Sequence, residues 1–128
     1  MIHHIALRVA DPERSRAFYA DLLGLVERRR QEDAQGLRAI WLDAGPVVLM
    51  LERELRGKGP PAGSGHLLAL AVADLGAWEE RLRAAGVAVE DRTEHTLYFQ
   101  DPDGHRVGVS DFRFKALSDP SKPLSGVR

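Results

Sequence analysis

The sequence predicts an α+β chain made of two tandem β-α-β-β-β modules with mixed sheets. The first observation is an internal repeat: the segment that begins at His3 returns at His66, with Val9-Ala10-Asp11 aligned on Val72-Ala73-Asp74. The second observation is that each copy passes from a strand-like segment through an aspartate to a helical apolar pattern. Each copy then ends in short strand-like segments separated by turn residues.

The first module begins with a predicted strand over residues 4–9. Asp11 is a suitable N-cap for the helix that follows, because its carboxylate can accept backbone N–H groups, and Pro12 suits the first helical position. The helix has an apolar stripe of Phe18, Tyr19 and Leu22, and Gly24 is placed to end it. Further strands are predicted over residues 25–30, 37–42 and 47–51.

The second module repeats this order, with a predicted strand over residues 67–72 and Asp74 as the helix N-cap. Its helix has an apolar stripe of Leu75, Trp78, Leu82 and Ala85, and Gly86 is placed to end it. Strands are predicted over residues 87–92, 96–100 and 106–112, the last two joined by the turn Asp101-Pro102-Asp103-Gly104.

The 128 residues suit a single domain. Within it we expect module one at residues 1–56, a Gly/Pro-rich linker at 57–65, module two at 66–114 and a loosely held tail at 115–128.

The composition excludes several classes of function. The chain has no cysteine, so disulfides and thiolate sites are excluded, and its net charge of -1 does not favour nucleic-acid binding. The run Arg28-Arg29-Arg30 lies between Glu27 and the acidic pair Glu32-Asp33 and is interpreted as a self-neutralised surface. No membrane span or signal peptide is predicted, so we expect a cytoplasmic protein without membrane partners.

Two short motifs and the repeat resemble a known superfamily. "FYADLLGL" at residues 18–25 and "DPDGHRV" at residues 101–107 are similar to motifs of the vicinal oxygen chelate superfamily. Its members include glyoxalase I, extradiol dioxygenases, fosfomycin-resistance enzymes and bleomycin-binding proteins. The resemblance implies that paired modules curl two sheets around an open cavity, in which the ligand binds.

The resemblance also identifies four metal-ligand positions, one on each of four strands. They correspond here to His4, Met50, Leu67 and Gly108, of which His4 alone is a good donor. We therefore expect no metal cofactor. An alternative remains open: a register slip at Glu52 and a β-bulge before His66 would assemble His4, Glu52 and His66 into a triad for iron or manganese.

Strand alternation nominates the residues that line the cavity. If His4 faces inward, so does Arg8, which resembles an arginine of glyoxalase I that grips an anionic part of the substrate. The alternative is that Arg8 pairs with a nearby acid such as Glu52. The predicted ligand-binding residues are His4, Arg8, Trp41, Met50, Glu52, Tyr98 and Arg106. His3 is expected to face away from His4 or to cap the strand edge, and His95 is expected to be exposed. The resemblance implies that His105 points outward from its turn.

These observations favour a homodimeric protein that binds a small polar or anionic organic molecule without the usual metal. Whether it is an enzyme stays open. One alternative is a metal-dependent lyase or dioxygenase that uses the triad His4, Glu52 and His66. Others are a metal-free acid–base catalyst that uses His4 and Glu52, and a dimeric interaction module with a vestigial cavity.

Overall fold

The computed structural model describes residues 1–57 and 65–114. The first module contains β1 (His4–Arg8), α1 (Pro12–Arg16), a π-helical segment (Ala17–Leu22), β2 (Val26–Asp33), β3 (Gly36–Ala44) and β4 (Val47–Glu52). The second contains β5 (Leu68–Ala71), α2 (Leu75–Ala84), β6 (Asp91–Arg92), β7 (Thr96–Gln100) and β8 (Arg106–Ser110). The predicted tail lies outside the described residues, as does the predicted linker except at its two ends.

Each module forms one four-stranded mixed sheet, which confirms the predicted fold class. The strand orders are β1-β4-β3-β2 and β5-β8-β7-β6, so the second sheet repeats the topology of the first. β1 is parallel to β4 and β5 to β8, while the other neighbours are antiparallel. No helix in the described part of the chain has the length and apolarity needed to cross a membrane.

The two helices begin at the predicted aspartates. Asp11 accepts the backbone N–H groups of Glu13 and Arg14, and Asp74 accepts that of Ala77. The first helix widens into a π-helical segment, in which the N–H of Leu23 bonds to the carbonyl of Phe18 at 3.1 Å. The adjacent Phe18 and Tyr19 are both buried in this wide turn.

The predicted strand at residues 87–92 is largely wrong, since only Asp91 and Arg92 form it. The N–H of Val87 closes the end of α2 by bonding to the carbonyl of Leu82 at 2.9 Å. This N–H is therefore not available to a strand partner. Val87 and Val89 still pack against the core, so the apolar pattern reflects burial rather than strand pairing.

One face of each sheet joins a common hydrophobic core. The core residues of the sheets are Ile40, Leu42, Leu49 and Leu51 in the first and Leu97, Phe99, Val107 and Val109 in the second. They form one cluster with Phe18, Tyr19 and Leu82 from the helical segments. We call the opposite, helix-free faces the open faces, and strand alternation places the predicted cavity residues there.

The turn from Asp101 to Gly104 joins the two modules. The buried Asp101 accepts a hydrogen bond of 2.7 Å from the hydroxyl of Tyr19. Asp103 accepts hydrogen bonds from the backbone N–H of Ala10 at 2.9 Å and from the hydroxyl of Ser15 at 3.2 Å. The turn that belongs to the "DPDG" motif therefore attaches module two to the first helix of module one.

The Tyr19 hydroxyl predicts a loss of stability in alkaline solution. Burial, reinforced by the Asp101 carboxylate, raises the pKa of Tyr19 well above its ordinary value. In the unfolded chain this tyrosine loses its proton near pH 10, so its contribution is fully present below that pH. Above it the unfolded state binds fewer protons than the native state, and stability falls by up to about 1.4 kcal/mol per pH unit.

Urea unfolding between pH 8 and pH 11 measures this effect. Tyr19→Phe should lose most of the alkaline decline, whereas Tyr98→Phe, at a half-buried position, should keep it. An unchanged decline in Tyr19→Phe would show that another group is responsible.

Candidate functional site

The open face of the first sheet presents a row of four side chains, one from each strand. Strand register aligns Ala6 with Met50, Met50 with Trp41 and Trp41 with Arg29. We call these residues the Trp41 row. Ala6, Met50 and Trp41 are half-buried and Arg29 is exposed, so the row is accessible in the single chain. Trp41 and Met50 lie on one face, as predicted.

The second sheet presents the matching set. Ala69 aligns with Gly108, Gly108 with Tyr98 and Tyr98 with Asp91. In this Tyr98 row, Tyr98 holds the register position of Trp41, and Gly108 holds that of Met50. Of the predicted ligand-binding residues, Trp41 and Met50 lie on the first sheet and Tyr98 and Arg106 on the second.

A guanidinium lies over the aromatic ring of each row. Arg29 Cζ is 5.3 Å from the centroid of the Trp41 ring, and Arg106 Cζ is 5.4 Å from that of Tyr98. Both distances are within the range of cation–π attraction. The two arginines come from non-equivalent strands, Arg29 from β2 and Arg106 from β8, so the internal repeat does not explain their similar placement.

Arg29 is a site residue that the sequence interpretation misses. Arg28 pairs with Asp43 at 2.8 Å and Arg30 with Glu27 at 2.6 Å, as a self-neutralised surface requires. Arg29 has no carboxylate within 4.0 Å in the described ranges 1–57 and 65–114. A register shift between Glu27 and Arg29 turns Arg29 to the open face. Strict alternation would have placed it on the face of Glu27, and no feature of the sequence marks this bulge.

The four positions at which the superfamily binds metal do not supply a matching set of donors. His4 is exposed, and its Nδ1 lies 2.8 Å from Nδ1 of His3. His3 therefore does not face away from His4, the first of its two predicted positions, because it precedes the first paired residue of β1 and strand alternation does not apply to it. At the equivalent of the last ligand, a Cβ on Gly108 would lie 3.3 Å from the carbonyl oxygen of Leu97. A side chain at this position would therefore require the Leu97 backbone to move by a few tenths of an ångström.

The structure also does not bring the alternative triad together. The register pairs His4 with Val48 and Arg8 with Glu52. His4 and the partner of Glu52 are thus four residues apart on β1, or about 13 Å along the strand. The register slip that the triad requires is absent, and the described residues contain no group of three His, Cys, Asp or Glu side chains that could hold a metal ion. The same separation excludes a direct His4–Glu52 acid–base pair in this conformation.

Arg8 and Glu52 have other partners. The guanidinium of Arg8 donates to the carbonyl oxygens of Leu55 at 2.6 Å and Gly57 at 2.5 Å. Glu52 accepts from Nε of Arg38 at 3.2 Å, so the alternative in which Arg8 pairs with Glu52 does not form. Arg8 therefore connects β1 to the chain after β4. To bind a ligand, its guanidinium would have to break its hydrogen bonds to these two carbonyl oxygens.

Two histidines outside the predicted site also have defined contacts. Nδ1–H of His95 donates to Asp111 at 2.8 Å, while 43% of the His95 side chain remains exposed. Nε2–H of His105 donates to the carbonyl of Arg8 at 2.8 Å, so it points inward to module one. A shallow depression of about 410 Å³, lined by residues 71–73 and 110–114, lies beside Asp111.

Comparisons with known proteins agree with this architecture. A family model described as "Glyoxalase/Bleomycin resistance protein/Dioxygenase superfamily" matches residues 1–109. The chain is 28% identical to glutathione transferase FosA from Serratia marcescens over 135 aligned positions, which cover 98% of this chain and 92% of that protein.

Solved structures are similar in fold. The antibiotic-binding protein TnmS3 from Streptomyces sp. CB03234 superposes with a TM-score of 0.67 at 24% identity, covering 86% of this chain and 93% of TnmS3. The fosfomycin resistance protein FosX from Mesorhizobium loti superposes with a TM-score of 0.70 at 17% identity, covering 88% of this chain and 92% of FosX.

Proposed function

The chain belongs to the Glyoxalase/Bleomycin resistance protein/Dioxygenase superfamily, and from this premise we propose that it binds a small polar or anionic organic molecule at the open faces of its sheets. The observation that carries the proposal is the guanidinium over an aromatic ring on each open face. Rings supply apolar contact area, and guanidinium groups match carboxylate or phosphate oxygens. FosA and TnmS3, whose names describe action on or binding of small molecules, support this class of function.

Arg106 and Tyr98 are the proposed anchor on the second sheet. Arg106 has no carboxylate within 4.0 Å in the parts of the chain that the structure describes, so its donors are available to a ligand. Trp41 and Met50 supply the apolar contact on the first sheet. His4, Arg8 and Glu52 remain candidates at the ends of β1 and β4, where each already has a partner within the chain.

A matched panel of organic acids and their neutral amides tests the ligand class. Acids that bind should raise the melting temperature, since a ligand that binds the native state stabilises it. Arg106→Ala should weaken their binding by about tenfold, the value of one charge-assisted contact. Arg92→Ala, which removes an exposed arginine paired with Glu79, is the control. A panel in which no acid binds, or in which amides bind as well as acids, would contradict the proposal.

We further propose that this binding does not use the divalent metal of the superfamily. The support is chemical: Met50, Leu67 and Gly108 stand at three of the four ligand positions, and none is a good ligand for a hard divalent ion. Tag-free protein should contain far less than one zinc, nickel, iron or manganese ion per chain by elemental analysis. Nearly one ion per chain, lost in His4→Ala but retained in His3→Ala, would contradict this.

We also propose that the protein is a homodimer. In the single chain β1 and β5 are edge strands, and Arg29, Ala69 and Ala71 on the open faces are exposed. A second copy would cover these faces and enclose the ligand. Light scattering at micromolar concentration should give twice the chain mass, and a monomer mass would contradict the proposal.

A further inference from the structure

We propose that Arg29 and Trp41 form a subsite selective for a planar aromatic carboxylate. The inference rests on the proposed binding function and assigns a ligand class to one of its surfaces. Arg29 belongs to none of the four metal-ligand positions, and strand alternation alone does not place it on the open face.

Arg29 differs from the arginines on either side of it. Arg28 and Arg30 use their guanidinium groups in ion pairs on the strand, whereas Arg29 makes neither a salt bridge nor a side-chain hydrogen bond within residues 1–57 and 65–114. Its guanidinium is nevertheless held in place, because it lies over the Trp41 ring. A cation positioned in this way keeps its N–H donors for an incoming anion and loses little freedom on binding.

The rest of the Trp41 row favours a flat, apolar body. Met50 lies next to Trp41 across β3 and β4, and its thioether is well suited to contact aromatic rings. Ala6, beyond Met50 on β1, has the smallest side chain of the row and therefore extends least above the sheet. From β1 to β3 the row spans two strand spacings, or about 10 Å, which is close to the length of a fused two-ring system.

The guanidinium of Arg29 and the apolar side chains of the Trp41 row together define the chemical class of the ligand. The carboxylate would accept hydrogen bonds from Arg29, and the rings would lie over Met50 and Ala6 against the edge of Trp41. The Tyr98 row has no equivalent apolar floor, because Gly108 holds the position of Met50 and leaves only Ala69 beside it. The structure therefore assigns the aromatic selectivity to the first sheet.

Titration of the ¹⁵N-labelled protein with 2-naphthoate, followed by NMR, tests the proposal. The chain has two tryptophans, Trp41 on the open face and Trp78 on α2, so the two indole N–H signals report site and control in one sample. We expect 2-naphthoate to shift the Trp41 indole and the Arg29 Nε signals and to leave Trp78 unchanged. The neutral 2-naphthamide and the non-aromatic cyclohexanecarboxylate should each bind about tenfold more weakly, since each lacks one of the two contacts.

Two variants separate the role of the charge from that of the fold. Arg29→Ala should weaken 2-naphthoate binding by about tenfold and leave 2-naphthamide binding unchanged. Arg28→Ala, which alters the neighbouring ion-paired arginine, should change neither. Equal melting temperatures of the two variants would show that the exposed position of Arg29 is not needed for folding.

The outcomes distinguish this inference from the proposed function. It is overturned if 2-naphthoate does not shift Trp41, or if Arg29→Ala binds it as tightly as the parent protein. If other acids from the panel then bind and depend on Arg106, the proposed function stands without the aromatic subsite. If no acid binds at either sheet, the aromatic subsite and the proposed binding function are both overturned.

Discussion

Asp101→Ala should lower the free energy of unfolding by about 3–4 kcal/mol, a large part of the stability of a domain of this size. Asp101 is 5% exposed and is the acceptor on which the joint between the modules depends. Its carboxylate accepts the Tyr19 hydroxyl at 2.7 Å and the backbone N–H groups of His105 and Asp103 at 2.8 and 2.9 Å. The substitution leaves these three donors without their acceptor, and the hydroxyl is buried where water does not easily replace it.

Urea unfolding followed by circular dichroism measures the change. Asp91→Ala is the matched control, because within residues 1–57 and 65–114 its exposed carboxylate accepts only the neighbouring Arg92 N–H, and its loss should cost less than about 1 kcal/mol. Asp101→Asn, which retains an acceptor oxygen, should fall between the two. If Asp101→Ala lowered the free energy of unfolding no more than Asp91→Ala does, the Asp101 turn would not be what holds the two modules together.

Phe99→Ala should cost about 3–5 kcal/mol, the range for removing a fully buried aromatic side chain. Phe99 is 1% exposed and lies on the core face of β7. Its ring centroid is 6.0 Å from that of Phe18, which belongs to the π-helical segment of module one. The substitution therefore opens a cavity where the two modules share their core, and neither module can close it alone.

The exposed Phe112 supplies the control for this substitution. Phe112→Ala removes the same side chain from a position that is 52% exposed, so it should cost far less. Phe99→Leu, which retains most of the buried volume, should cost about 1–1.5 kcal/mol. Comparable losses in Phe99→Ala and Phe112→Ala would contradict the placement of Phe99 in the shared core.

The two sheets retain one topology but present different surfaces. The core positions of both are aliphatic or aromatic, whereas the open faces differ at equivalent positions, with Met50 on one sheet and Gly108 on the other. On the open face between β1 and β4 the central pair, Ala6 and Met50, is apolar, with His4 at one end and Arg8 and Glu52 at the other. Each aromatic ring of the open faces has a guanidinium beside it, Arg29 at Trp41 and Arg106 at Tyr98.

Much of the candidate site follows from strand alternation, with Trp41 nominated by the family resemblance. It correctly places Trp41 and Met50 on one face, and Tyr98 with Arg106 on another. It fails at Arg29, where a bulge reverses the alternation, and at His3, which precedes the paired strand. Alternation applies to regular extended backbone, so it does not predict side-chain direction where the pairing of neighbouring strands is interrupted.

The sequence by itself determined the duplicated β-α-β-β-β order, both helix N-caps and the glycines that end the helices, Gly24 and Gly86, whose φ angles are +88° and +75°. These features depend on residues that are neighbours in the chain, and the internal repeat can be recognised by comparing one half of the sequence with the other. Only the tertiary structure decided that Tyr19 bonds to Asp101, that Arg8 binds the carbonyls of Leu55 and Gly57, and that Arg29 lies over Trp41. These partners meet through strand register and module packing, which sum many weak contacts between residues distant in the chain and leave no local mark in the sequence.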